Sequence, residues 1–198
     1  MLITEKLKEY RLILASQSPR RRELMTGCEL PYTLADRYAC EEVYPADTPT
    51  EEVSAYLSHL KSEAYPKPLE DNDILLTADT VVIGEGRVLG KPHDAAEAHA
   101  MLRLLSGKAH KVITGVTLRD KHRTRTFSSE SRVWFRALTD EEIDHYIEVY
   151  RPFDKAGAYG IQEWIGYTAI ERIDGSFYNV MGLPIQKVYQ ELNQFINL

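Results

Sequence analysis

The stretch Leu12–Leu24, LILASQSPRRREL, decides how the chain is read. Leu12, Ile13 and Leu14 form a short apolar run that predicts a strand, and Ala15 can pack closely behind them. A helix follows at once. Ser18 is a good N-cap, and Pro19 falls on the first helical position, where proline is tolerated best. Arg20, Arg21 and Arg22 then fill the first turn. A helix N-terminus already carries about half a positive charge, so three arginines oppose the dipole at roughly a few tenths of a kcal/mol each. An anion bound at the turn would remove the conflict. Free N–H groups, the Ser16 and Ser18 hydroxyls and the guanidinium forks would converge on it, which is a phosphate site by chemistry. A solvated basic turn paired to acids such as Glu23 is the plainer reading, and these residues alone leave both open.

Working outward, the elements alternate. LPYTL at 30–34 reads as a second strand, and the acid- and proline-rich run 36–49 as a loop. Thr50 is placed to cap a helix with Glu51 and Glu52 in its first turn, an apolar face of Val53, Tyr56, Leu57, Leu60 and Ala64, and a stop at Pro66. Residues 73–91 read as a strand and hairpin, with Gly84 and Gly86 bracketing the turn. Asp94 with Glu97 resembles a capping box for a helix closed by Gly107, and Thr139 with Glu142 makes another. Two antiparallel strands fall at roughly 110–138. Residues 151–182 read as loops and short strands, and a last helix begins near Pro184. Strand–helix units mixed with antiparallel strands predict an α/β fold, a mixed twisted sheet flanked by helices.

Composition narrows the function. The chain has 198 residues, 43% of them hydrophobic, enough for one sizeable core. Its net charge of −6 disfavours a general nucleic-acid binder. Cys28 and Cys40 have no zinc-ligand spacing and read as reduced thiols. No apolar run approaches the ~18 residues of a membrane span, and MLITEKLKEY lacks a signal-peptide core, so a soluble cytoplasmic protein is expected.

An acidic protein that binds an anion needs local cations. Lys61, late on the 50–65 helix, and Lys91, in GKP after the hairpin, are candidates beside Arg21; a snorkelling lysine and an ordinary turn lysine are the plain alternatives. Asp79, in TADTVV, follows a buried run, and aspartate is disfavoured inside a strand and costly to bury unpaired. It reads as a carboxylate at a strand end facing a cleft, or as an edge or turn residue. The histidines have no metal-ligand spacing, so any metal is expected to be oxygen-bound.

LILASQSPRRREL resembles the opening signature of the Maf family of nucleoside triphosphate pyrophosphatases. GKP at 90–92, DKAGAYGIQ at 154–162 and GSFYNVMGLPI at 175–185 recur there in the same order, and the resemblance runs from about Leu12 to about Leu192. It implies a single domain over 1–198 with an elongated, two-lobed Maf/ITPase-like fold and a central cleft. It implies hydrolysis of a nucleoside triphosphate to the monophosphate and pyrophosphate, with Mg²⁺ or Mn²⁺ as cofactor. Ser16, Ser18, Arg21, Lys61 and Lys91 would bind the phosphates, and Asp79 would be the general base. Glu42 would hold the metal with Asp79, although Glu41 beside it keeps that assignment open. One subgroup, acting on 7-methyl-GTP, tends to have Trp, Gln and Glu where this chain has Arg20, Thr80 and Gln162. The chain reads as the dTTP/UTP subgroup, with modified pyrimidine nucleotides as further candidates. It departs at Glu163 and Trp164, where a glycine is common. The alternatives are 7-methyl-GTP hydrolysis and a non-catalytic nucleotide-binding regulator of cell division and septum formation. No nucleic-acid or membrane partner is expected, and a homodimer is an analogy only.

Overall fold

The computed structural model describes residues 2–197; Met1 and Leu198, the ends of the expected 1–198 domain, lie outside the described residues. A short helix α1 (Ile3–Lys6) and a 3₁₀ turn (Leu7–Glu9) precede β1 (Arg11–Leu14) and α2 (Pro19–Gly27). Then come β2 (Thr33–Leu34), α3 (Val53–Glu63), β3 (Asp73–Gly84), β4 (Arg87–Leu89), α4 (Ala95–Leu105), β5 (Ala109–Arg119) and β6 (Thr124–Phe135). The chain closes with α5 (Asp140–Tyr150), α6 (Trp164–Ala169), β7 (Ile170–Asp174), α7 (Phe177–Met181) and α8 (Ile185–Ile196). Among the described residues seven strands form one mixed sheet in the order β2-β1-β3-β5-β6-β7, with β4 paired to β3. Among the described residues no helix is long and apolar enough to cross a membrane.

Contacts divide the chain into two compact units. The first holds the residues up to Asp79, Thr114–Ser129 and those from Gly182 on. Here β1 lies parallel to β2 and, from Arg11↔Asp73 to Leu14↔Leu76, parallel to β3. The strand read at 30–34 shrinks to Thr33–Leu34, because only these two residues meet β1. Ser18 occupies the N-cap of α2 with Pro19 next, yet its side chain makes no capping bond. Positive φ after α2 falls on Glu29, at 56°, and not on Gly27, its last residue.

The packing of α3 differs from its sequence pattern. Its N-cap is Glu52, not Thr50, whose hydroxyl is hydrogen-bonded to Glu51. Its buried residues are Val53, Ser54, Leu57, Ser58 and Ser62, while Tyr56 is exposed. The reason is proximity to the sheet. A Cβ on Gly115 of β5 would lie 2.3 Å from the Ser54 carbonyl carbon and oxygen, so helix and strand touch backbone to backbone. Only small side chains fit between them. Ser58 Oγ bonds Thr117 at 2.9 Å, and Arg119 donates to the Ser62 carbonyl at 2.6 Å. Four helical residues rise about 6 Å and two strand residues about 6.7 Å, so the i, i+4 serines keep step with Gly115, Thr117 and Arg119.

The second unit comprises Thr80–Ile113 and Glu130–Met181. The β3–β4 hairpin turns through Glu85 (φ 49°) and Gly86 (φ 73°), both left-handed, as a two-residue loop requires. Asp94 caps α4, but Glu97 reaches back to the His93 N–H. The Thr139–Glu142 capping box on α5 is complete. Residues 151–182, read as loops and short strands, instead fold into α6, β7 and α7 with a 3₁₀ turn at Ala156–Ala158. Their close glycines mask helices too short to show a period.

His110 sits in this unit's core, 3% exposed, with Nε2 2.7 Å from Tyr159 Oη and its ring edge-on to Phe135. Burial pushes its pKa down from 6.5 to about 4. Above pH 6.5 folded and unfolded chains both carry it neutral, and its contribution is complete. Below that, the unfolded chain gains a proton that the folded one refuses, so stability falls as pH drops from 6.5 towards 4, by about 2 kcal/mol at pH 5. Denaturation at pH 7.5 and pH 5 should show a gap between the two conditions that shrinks by about this amount in His110→Gln. An unchanged gap would mean that His110 does not set it.

Candidate active site

The site begins where β1 stops. The carbonyls of Asn72, just before β3, and of Leu76 on it accept from the N–H groups of Arg11 and Ala15, at 2.8 and 2.9 Å. Strand alternation turns the Ala78 carbonyl to the same edge, but β1 has ended at Leu14. Arg21 of α2 takes the place of the missing strand. Its Nη1 donates to the Ala78 carbonyl at 2.9 Å and to Ser16 Oγ at 3.2 Å, and its Nε donates to the Gly182 carbonyl at 2.7 Å. Ser16 Oγ also accepts from the Ser18 N–H at 3.3 Å. Desolvation by burial holds Arg21 below the ordinary arginine range, and the charges of Asp79 and Glu42 pull it back up. Arg21 is therefore a brace as well as a cation.

Asp79 does not stand at a strand end. It lies within the twelve-residue β3, 8% exposed. Aspartate is disfavoured inside a strand when its charge is unmet; here a lysine satisfies that charge, and the ladder runs on. Thr77, two residues earlier and on the same face, donates to the Ser58 carbonyl of α3 at 2.7 Å. One step along both elements, Asp79 Oδ1 meets Lys61 Nζ at 2.6 Å. Lys61 Nζ also lies 3.1 Å from Glu42 Oε2. Glu42, rather than its neighbour Glu41, thus reaches the group from the 36–49 loop.

The sequence reading missed what fixes Lys61. Tyr38 donates its hydroxyl to the Lys61 carbonyl at 2.7 Å, beside the Arg119 bond to Ser62. Tyr38 satisfies one of the last carbonyls of α3, which a helix leaves without partners of its own, and Arg119 adds to the Tyr65 N–H that the Ser62 carbonyl also accepts, at 3.4 Å. Tyr38 packs edge-on against Tyr65 and onto the cluster of Ile13, Ala15, Ala35 and Leu75, which ties the loop bearing Glu42 to the sheet. Nothing in the local sequence marks Tyr38 for this task.

Thr80, Lys91 and Gln162 belong to the second unit. Thr80 is half-buried on β3, Lys91 is exposed after β4, and Gln162 lies in the turn before α6. That turn is tightly held. Tyr146 hydrogen-bonds Glu163 and accepts from the Gly160 N–H at 3.0 Å. Lys155, 7% exposed, lies 2.7 Å from Asp154 Oδ1 and 3.1 Å from Glu163 Oε1. A Cβ on Gly160 would press on Gln162, Lys155 and Glu163 together. Within this frame the Gln162 Oε1 atom is buried and has no hydrogen-bond partner among the described residues. Glu163, the departure from the resemblance, is therefore the residue that joins Tyr146 to Lys155.

The residues suit a hard divalent cation. Asp79 and Glu42 present carboxylate oxygens to one positive centre, the donor type that Mg²⁺ and Mn²⁺ take together with substrate phosphates. Among the described residues no group of three His, Cys, Asp or Glu forms a full metal cage, so further ligands would be phosphate oxygens and water.

Fold and site together define a class: a mixed α/β protein with a lysine-paired carboxylate beside a cationic helix start. The chain belongs to the Maf family, whose model, described as Maf-like protein, matches residues 11–195. A dTTP/UTP pyrophosphatase of Porphyromonas gingivalis is 52% identical over 193 residues, covering 96% of this chain and 97% of that one. Those of Parabacteroides distasonis and Christiangramia forsetii are 49% and 44% identical, covering 96% and 99% of this chain and 99% and 100% of theirs. A solved structure of a HAM1 protein from Coxiella burnetii aligns with 93% of this chain and 99% of that one, at 12% identity and a TM-score of 0.45, too distant to carry an argument.

Proposed function

We propose that this chain hydrolyses dTTP and UTP to the nucleoside monophosphate and pyrophosphate in the cytoplasm, where both free cysteines stay reduced. The observation that carries the reading is Asp79, a carboxylate buried within a strand and held by Lys61. Relatives of nearly the same length that are named for this activity support it. Asp79 holds Lys61 in the nucleotide-free protein, and with substrate bound it orients and deprotonates water for attack on the α-phosphorus. Lys61 and Arg21 hold the charge that develops on the leaving pyrophosphate, with the Ser16 and Ser18 hydroxyls as donors. Lys91 joins them on the strength of the resemblance alone. Asp79 and Glu42 would hold Mg²⁺ or Mn²⁺, and that ion would supply Lewis-acid neutralisation of the phosphate oxygens.

Base choice rests on Gln162, Arg20 and Thr80. Uracil and thymine present an N–H between two carbonyls, and the unpartnered Gln162 Oε1 is an acceptor suited to that N–H. A screen of canonical and modified nucleoside triphosphates, read by pyrophosphate release with Mg²⁺ and Mn²⁺, tests the activity. Release from dTTP and UTP is expected; binding without release, or release of orthophosphate, would sink the reading. Replacing Arg20, Thr80 and Gln162 by Trp, Gln and Glu together should lower kcat/KM for dTTP and raise it for 7-methyl-GTP. An unchanged ratio would place base recognition elsewhere.

A further inference from the structure

Lys61 stands in an unusual place for a phosphate ligand. Its ammonium lies between the Asp79 and Glu42 carboxylates, at 2.6 and 3.1 Å, where a divalent cation held by the same pair would sit. We propose that Lys61 is the resident counter-ion of this seat: it fills the seat in the nucleotide-free protein, so the divalent cation enters only as its nucleotide complex, which draws the ammonium away to the phosphates. The inference rests on the reading of Asp79 and Glu42 as the cation's protein ligands.

An ammonium and a divalent cation cannot share one pair of carboxylates, because like charges at contact distance repel strongly in a partly desolvated site. The Lys61 and Asp79 side chains are only 16% and 11% exposed, so water screens this repulsion poorly. Next, the competing cation has little with which to win. The seat offers two carboxylates and, among the described residues, no third His, Cys, Asp or Glu grouped with them. A small hard ion that gives up its water reluctantly gains little from such a pair. A nucleotide complex changes both sides of the balance. It brings phosphate oxygens that complete the cation's shell, and a polyanion to which the displaced ammonium can turn.

The lysine is built for such a move. The Lys61 carbonyl is pinned by Tyr38 and the next carbonyl by Arg119, so the backbone stays fixed. Only the four-carbon stem has to swing, and an ammonium is a compact point charge that keeps its donors in any orientation. No covalent step is involved.

Mn²⁺ binding, followed by the free-ion paramagnetic resonance signal, tests the proposal in wild-type protein, Lys61→Gln and Lys61→Gln with Glu42→Gln. Nucleotide-free wild type should bind Mn²⁺ weakly, and Lys61→Gln should bind it about tenfold tighter or more, the loss of a charged hydrogen bond. The added Glu42→Gln change should cancel that gain. A non-hydrolysable dTTP analogue should raise Mn²⁺ affinity of the wild type by at least the same factor, a measurement that needs no variant to fold. If Lys61→Gln, folded by circular dichroism, binds Mn²⁺ no tighter than wild type, the proposal is overturned. Wild type that binds Mn²⁺ equally well with and without the analogue overturns it too. Intact dTTP hydrolysis beside either result leaves the proposed function standing, whereas the Lys61→Gln gain without any hydrolysis would remove the function and keep the seat.

Discussion

Asp79→Asn should keep the fold and lower dTTP hydrolysis by about 10²–10⁴-fold, the usual loss for a positioned general base. Asparagine has the same shape, and its Oδ1 still accepts from Lys61 Nζ, which now lies 2.6 Å away. Lys61 also keeps Glu42, so no buried charge is left alone. Stability should therefore change little. What is lost is the negative charge that takes a proton from water, together with one of the two carboxylates of the cation seat. Thermal unfolding and steady-state kinetics on the same preparation make the comparison. A folded Asp79→Asn protein with near wild-type kcat would remove Asp79 from the chemistry.

That aspartate also shows what the sequence could reveal. Its chemical oddness was legible, because a carboxylate after an apolar run needs a partner. Its position was not. The strand continues past Asp79 because Lys61 arrives from α3, and that meeting depends on two elements keeping step over several residues. Some local features were legible where a local rule decides them: the strand–helix opening, the hairpin bracketed by Gly84 and Gly86, and the Thr139–Glu142 box; the Thr50 cap was not among them. Arg21 is the contrary case. The dipole argument treats its charge as a conflict at the helix start, but the guanidinium leaves the helix to satisfy the Ala78 and Gly182 carbonyls. No pattern within residues 12–24 reports that β1 is too short to cover β3. The choice between Glu41 and Glu42 was hidden for the same reason, since only the fold of the 36–49 loop turns one of them towards Lys61.

Gly115→Ala should cost about 3 kcal/mol of stability or more, at the upper end of overpacking effects. The added Cβ would lie 2.3 Å from the carbonyl carbon and oxygen of Ser54 and 2.4 Å from the Ala55 nitrogen. All of these are backbone atoms, so no side chain can swing aside, and α3 as a whole must lift from β5. The Ser58–Thr117 bond and the Arg119 bond to Ser62 would stretch with it, and Lys61, one residue from Ser62, would leave Asp79. The melting temperature should then drop by about 6–12 °C for a chain of this size. Activity should fall as well, measured at a temperature where the variant is still folded. Gly27→Ala is the matched control. Gly27 ends α2 without a positive φ, and a Cβ there would meet nothing within 4 Å. Alanine at that site should be neutral or stabilise by about 0.4–1 kcal/mol, through loss of freedom in the unfolded chain. If Gly115→Ala melts like Gly27→Ala, the helix does not rest on β5 backbone to backbone. The placement of Lys61 would then need another cause, because it follows from the fit of Ser54, Ser58 and Ser62 against Gly115, Thr117 and Arg119.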